Sequence, residues 1–166
     1  MDATLFRELM AGVCGPVTVV TATLEGVPHG TTVSAMMSVS LSPPLVGVAL
    51  DQASTILSHA RASGRFGVNV LAHDQAELAL RFAKKLPSTE KFQGVDWALV
   101  DGLPRLSGAI GWMVCGVERA VEAGDHVILL GRLASGVASV GAPLVYANRQ
   151  FGTHSAFARP TDKGAP

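Results

Sequence analysis

Apolar and polar positions alternate along this chain in two periods, and the shorter period dominates. Leu5, Phe6, Leu9, Met10 and Val13 fall at helical spacing, which predicts a helix over 4–13 with Thr4 as N-cap. VTVVTATL (17–24) is β-branched and closely apolar, so it reads as a strand that ends at the Glu25-Gly26 turn signal. Residues 29–41 alternate hydroxyls with apolar side chains, as a half-buried strand does, until Pro43-Pro44 stops them. LVGVAL (45–50) predicts the next strand. Ser54 then opens a short helix with Ile56, Leu57 and Ala60 on one face and Gly64 as its stop.

RFGVNVL (65–71) predicts a further strand, and Asp74 with Glu77 has capping-box spacing for a helix ending near Lys84. Residues 85–108 are loop-rich. Two long strands follow, 109–124 and 126–139, joined by a tight turn at Gly124-Asp125, and LVYANRQF (144–151) predicts a last strand. Strands outnumber helices, and regular strand–helix alternation is missing from the second half. The pattern predicts a mainly β fold, an antiparallel barrel or sandwich with short peripheral helices.

Length and composition narrow the class. At 166 residues the chain is expected to form one domain over 1–157, with a loose, flexible tail at 158–166. Thirteen basic and thirteen acidic residues give zero net charge, so a nucleic-acid surface or an anionic-membrane surface is not expected. With 48% hydrophobic and 16% charged residues, part of the apolar surface is expected to lie in a subunit interface. Cys14 and Cys115 are far apart in apolar stretches, and both are expected to be buried, reduced residues of a cytoplasmic protein. The opening MDATLFRELM does not resemble a signal peptide, and every apolar run is too short for a membrane span.

Several self-contained chemistries are missing. No two of the 18 glycines stand two positions apart, so there is no GxGxxG fingerprint, and there is no GxxxxGK loop. The five histidines form no HExxH, none sits near a cysteine at zinc spacing, and no metal site is expected. No serine lies in GxSxG. An enzyme built on this sequence therefore needs a bound cofactor to supply the chemistry. The informative stretch is HGTTVSAMMSVSLSPP (29–44), with Thr31, Thr32, Ser34, Ser38 and Ser40 in ten residues. Hydroxyls and backbone N–H groups can hold a phosphate or a polar chain, and the same row also suits an ordinary solvent-facing barrel strand.

VTVVTA (17–22), HGTTVSAMMSVSLSPPLV (29–46), SGRFGVNVL (63–71), QAELALRFA (75–83), KFQGVDW (91–97) and GDHVILLG (124–131) occur in this order. Together they resemble the flavin reductase-like family, the small NAD(P)H:flavin oxidoreductases that serve two-component monooxygenases. The resemblance runs from about residue 5 to about residue 155. It implies an FMN-binding split β-barrel, a homodimer, FMN or FAD as flavin, NADH or NADPH as hydride donor, and a flavin-dependent monooxygenase partner. It also implies that Thr31, Thr32, Val33, Ser34 and Ala35 line the flavin, with Ser38 nearer its phosphate. Asp51, Gln52, Ser54 and Thr55 would form a second contact at a strand end and helix start, where free N–H groups favour phosphate.

By the same resemblance Phe82, Ala83 and Lys84 close over the flavin, Phe82 by stacking and Lys84 by approaching phosphate. Phe82 as a core residue is the competing reading. Asn69 either donates to the flavin edge or satisfies backbone inside the barrel. His126 in the GDH segment would be the catalytic contact on the nicotinamide side, joined there by Tyr146 and Arg149. Phe151 replaces the family's more common Tyr. Arg132, Arg149 and Arg159 are each candidates for a 2′-phosphate. The residues leave FMN or FAD, and NADH or NADPH, open. They also leave open a tight flavoprotein acting directly on another substrate, and a non-catalytic flavin- or haem-binding split barrel.

Overall fold

The structure is a computed structural model that describes residues 2–157, so the expected tail and Arg159 lie outside the described residues. In chain order the elements are α1 (Ala3–Ala11), β1 (Gly15–Pro16), β2 (Thr18–Leu24), β3 (Val27–Val33), β4 (Met36–Leu41) and β5 (Pro44–Asp51). Then come α2 (Thr55–Ser63), β6 (Arg65–Val70), α3 (Ala76–Ala83), α4 (Ser88–Phe92), β7 (Trp97–Val100) and β8 (Leu103–Leu106). The last elements are β9 (Gly111–Ala123), β10 (His126–Ala138), β11 (Val145–Ala147), β12 (Gln150–Gly152) and a 3-10 turn at Ser155–Phe157.

Seven strands form one antiparallel sheet in the order β3-β2-β6-β9-β10-β5-β4. Its two edges, β3 and β4, are separated in the chain only by Ser34 and Ala35. Laid flat, six gaps of about 4.8 Å would hold those edges about 29 Å apart. The three peptide steps from Val33 to Met36 reach about 11 Å at most. The sheet must therefore roll into a barrel. The edges approach without zipping: among the described residues β3 pairs with β2 alone, and Ala49 N–H donates to the Ala35 carbonyl at 3.0 Å. The barrel is split at this seam. The alternation of hydroxyls across 29–41 concealed the break, so the one expected strand is two strands on opposite edges.

Alternation along β2 sends side chains into two cores. Val20 and Ala22 join Val33, Val48, Leu50, Phe66, Val68, Cys115, Val127 and Leu129 in the first, where α2 adds Ile56, Leu57 and Ala60. Val19 packs on the other side with Val17, Leu71, Ala79, Phe82, Phe92, Leu106 and Leu144. Buried Asn69 ties the β7–β8 hairpin to the barrel. Its Oδ1 accepts from Leu106 N–H at 2.7 Å, while Nδ2 donates to the Val19 and Pro104 carbonyls at 3.2 and 3.4 Å. Of its two candidate roles, Asn69 takes the structural one.

Other expectations need correction. Asp2, not Thr4, caps α1, by accepting from the Thr4 N–H at 2.9 Å. The Asp74–Glu77 box does not form, because Gln75 occupies the N-cap of α3 and its Oε1 accepts from Ala72 N–H at 3.0 Å. The loop-rich stretch contains α4 and the β7–β8 hairpin. The last strand is a hairpin, β11 and β12, turned by Asn148 and Arg149 at φ of 49° and 60°. Cys115 is buried, its thiol pushed up to about 12 by that burial, but Cys14 is exposed. No residue of α1 is buried, so Leu5, Phe6, Leu9 and Met10 face outward.

Candidate functional site

The seam of the barrel is a cleft. A cavity of about 240 Å³ is lined by Thr31 to Ala35 on one wall, by Ala49, Leu50, Asp51 and Ser54 on the other, and by His126. A larger cavity of about 590 Å³ shares Thr31, Asp51 and Ser54 with it and continues to Thr55, Ala83, Lys84, Lys85 and Lys91. β3 is a sheet edge, and edge strands present unpaired N–H and C=O groups. The backbone wall of this cleft can therefore hydrogen-bond a ligand.

The second wall is a turn built by Asp51. Its Oδ1 accepts from Ala53 N–H at 2.7 Å, and its carbonyl accepts from the Ser54 hydroxyl at 2.6 Å. Ser54 stands at the N-cap of α2, as expected, but its hydroxyl does not cap the helix. The first N–H groups of α2 thus keep their donors at the lip of the cavity, which Lys84 and Lys85 also line. That donor set suits a phosphate. A flavin fits what is present: an open backbone edge for a flat polar ring, and free helix N–H groups with cations for its phosphate.

Of the residues singled out from sequence, Thr31, Thr32, Val33, Ser34, Ala35, Asp51, Ser54, Thr55, Ala83, Lys84 and His126 line these two cavities. The Thr32 hydroxyl is already committed, donating at 2.6 Å to the Ala79 carbonyl of α3. Others lie elsewhere. Ser38 is on β4, opposite Val46, outside both cavities. Gln52 turns away and donates from Nε2 to Glu122 Oε2 and to the Gly124 carbonyl, at 2.9 and 3.0 Å.

Phe82 has no exposure and packs edge-to-face on Phe92, with ring centroids 5.0 Å apart. Its ring is not free to stack on a ligand, because α3 needs it to fill the second core. Tyr146 belongs to β11, in the separate sheet β1-β11-β12, with its ring 5.1 Å from that of Phe151. Arg149 pairs with Glu8 of α1, and Arg132 with Glu118 at 2.9 Å.

His126 begins β10 opposite Asp51, directly after the Gly124-Asp125 turn. Gly124 has φ of +68° there, as the first position of a two-residue hairpin turn favours. Nδ1 of His126 lies 2.8 Å from Asp125 Oδ1, which holds the Asp125 carboxyl below its usual range.

Sequence reasoning missed a polar group on the far side of the larger cavity. Lys91 is only 8% exposed, and its Nζ donates to the Gly30 and Phe82 carbonyls at 3.2 and 2.9 Å. One ammonium thus ties β3 to the end of α3, and burial lowers its pKa. His29 beside it contacts the His59 ring at 3.8 Å and Ser88 Oγ at 2.6 Å. Burial, then His59, then Lys91 lower the pKa of His29. The sequence neighbours of Lys91, namely Glu90, Phe92 and Gln93, carry no signal of its burial, which depends on carbonyls of distant elements.

The family model described as "Flavin reductase like domain" matches residues 10–155. The actinorhodin polyketide dimerase of Streptomyces coelicolor is 40% identical over 153 residues, covering 90% of this chain and 85% of that protein. The reductase component of the 4-nitrophenol 4-monooxygenase/4-nitrocatechol 2-monooxygenase of Rhodococcus opacus is 36% identical, covering 92% and 81%. Among solved structures, the NADH:FAD oxidoreductase of Streptomyces globisporus C-1027, in complex with NAD and FAD fragments, superposes with a TM-score of 0.86. It is 30% identical, with 95% of this chain and 96% of that one covered. The split barrel expected from sequence is the fold these proteins share, and this chain belongs to the flavin reductase-like family.

Proposed function

We propose that the seam cleft is where this chain reduces FMN or FAD with NADH or NADPH, and that the reduced flavin passes to a partner monooxygenase. The observation that carries this reading is the split itself. Thr31–Ala35 face Asp51 and Ser54 across an open backbone edge beside free helix N–H groups, in a chain of a flavin reductase family. A bound flavin supplies the hydride acceptor. The chain supplies orientation and electrostatics: N–H groups of the Val33–Ala35 wall donate to the polar edge of the ring. Thr55 at the start of α2, with Lys84, holds the phosphate. His126 borders the open side of the cleft, where its Nε2 meets the nicotinamide nucleotide.

The names of relatives support the donor, the acceptor and the partner. One is an NADH:FAD oxidoreductase, and another is the reductase component of a monooxygenase. The outward apolar face of α1, with Leu5, Phe6, Leu9 and Met10 exposed, supports a homodimer. Among the described residues no helix is long and apolar enough to cross a membrane. A cytoplasmic site of action fits this reading.

The test is steady-state oxidation of each reduced nicotinamide nucleotide with added FMN or FAD. The reading predicts oxidation that saturates with free flavin and reduced flavin released into solution. Flavin that stays bound and is oxidised only by an added second substrate would favour a tight flavoprotein. Binding without oxidation would favour a binding protein.

A further inference from the structure

The β5–β10 ladder ends at the pair Asp51–His126, so the turn beyond it leaves the sheet just where His126 must be aimed. Gln52 fastens that turn. Its backbone N–H donates to the Asp125 carbonyl at 3.0 Å, and its side-chain amide donates to the Gly124 carbonyl at 3.0 Å. The same amide donates to Glu122 Oε2 at 2.9 Å, while Arg61 of α2 donates to Glu122 Oε1 at 2.9 Å. Arg61, Glu122 and Gln52 thus form one chain of bonds from the outer face of α2 to the peptide bonds on either side of Asp125. Asp125 in turn holds Nδ1 of His126. None of the three lines either cavity.

We infer that Gln52 is a positioning residue for the nicotinamide nucleotide, acting through His126, and that Glu122 and Arg61 orient it. This rests on the reading that His126 meets the nucleotide. Gln52 belongs to the same loop as Asp51 and Ser54, so the clamp sets the spacing between the phosphate end of the cleft and the His126 end. A small misplacement of a reacting or binding group has a large rate cost. Each isolated ion pair at this exposed site contributes little to stability. Loss of the clamp is therefore expected in catalysis and not in folding.

The experiment measures hydride transfer and nucleotide KM, together with flavin Kd and melting temperature, for Gln52→Ala, Glu122→Gln and His126→Ala, and for the double variant of Gln52 and His126. Gln52→Ala should raise nucleotide KM or slow hydride transfer roughly three- to tenfold, the scale of one or two lost hydrogen bonds, with flavin Kd and melting temperature close to wild type. Glu122→Gln keeps an oxygen for the Gln52 amide and should stay within about twofold. Gln52→Glu keeps the size but sets a carboxylate against Glu122 and the Gly124 carbonyl, and should act in the same direction as Gln52→Ala. In the His126→Ala background, Gln52→Ala should add nothing. Effects of Gln52 and His126 that multiply independently would overturn the inference, as would a Gln52→Ala variant that loses flavin instead of nucleotide affinity. If His126→Ala alone changes nothing, the reading of His126 falls and this inference falls with it.

Discussion

The hydroxyls of β2 and those that line the seam, Thr31 and Ser34, differ in what they meet, although Thr32 of β3 is itself paired with the Ala79 carbonyl. On β2, Thr18 and Thr21 have no exposure, and each donates to a carbonyl, Val33 at 2.8 Å and Pro104 at 2.9 Å. On the seam side, Thr31 and Ser34 line the cleft, and Ser34 is exposed. Residue type is shared, and strand position differs. β2 has a partner on both sides over Thr18–Thr21, where both hydroxyls are consumed inside the barrel, while the shielded Thr23 hydroxyl beyond them has no partner among the described residues. β3 has one partner, so its outer edge faces the seam. Polar groups already paired within the chain hold the fold, and those left at the split remain for a ligand.

The largest expected effects break the first half of this contrast. Phe82→Ala empties a fully buried site and should cost about 3–5 kcal/mol, read as a fall in melting temperature. Phe82→Leu should lose part of that stability while flavin Kd stays within about twofold, since the ring does not reach the cleft. Next, Asn69→Ala takes the side-chain acceptor from Leu106 N–H and the amide donor from the Val19 and Pro104 carbonyls, the latter keeping the Thr21 hydroxyl. It should cost about 2–3 kcal/mol in denaturant unfolding, with flavin affinity in the folded fraction unchanged.

Changes at the seam should show the reverse. Ser34→Ala and Thr31→Ala should move stability by less than about 0.5 kcal/mol while weakening flavin binding about threefold to tenfold, read by titration of the flavin absorbance. The smallest effect concerns pH. The pKa of His29 is lowered in the folded state, chiefly by burial and then by His59 and Lys91, so the unfolded chain takes the proton first. Stability is then full above the ordinary histidine pKa of about 6.5 and declines as pH falls from there through the lowered folded value. His29→Gln should flatten that slope in a series of unfolding curves.

Much of the barrel was legible in sequence because alternation at period 2 reports burial directly. β2, β5, β6 and the long β9–β10 hairpin stand close to where apolar runs and turn residues put them, and α2 ends at Gly64 in the left-handed conformation. The split was not legible. Thr31 to Ser40 keep one alternation, and only the geometry of a closed sheet requires the chain to change edges at Ser34-Ala35. The cap at Asp2 and the substitution of Gln75 for an Asp74–Glu77 box depend on which side chain reaches which N–H group, and spacing does not decide that. For the site, the resemblance brought together Thr31–Ala35, Asp51, Ser54, Thr55, Lys84 and His126. It did not bring in Lys91, His29 or Ser88, whose role depends on carbonyls and rings from distant elements. Phe82 shows the converse limit. An aromatic on an amphipathic helix has the same spacing whether it faces a core or a ligand, and only its burial against Phe92 separates the two.

The most direct test of the seam as the site of hydride transfer is anaerobic stopped-flow absorbance, comparing the wild-type chain with Ser34→Leu. Residue 34 is exposed, so the larger side chain fills cleft space with little effect on folding. The account predicts rapid bleaching of oxidised FMN or FAD by NADH or NADPH in the wild type. It predicts loss of that bleaching in Ser34→Leu at an unchanged melting temperature. Equal bleaching rates in the two proteins would place the reaction elsewhere and contradict it.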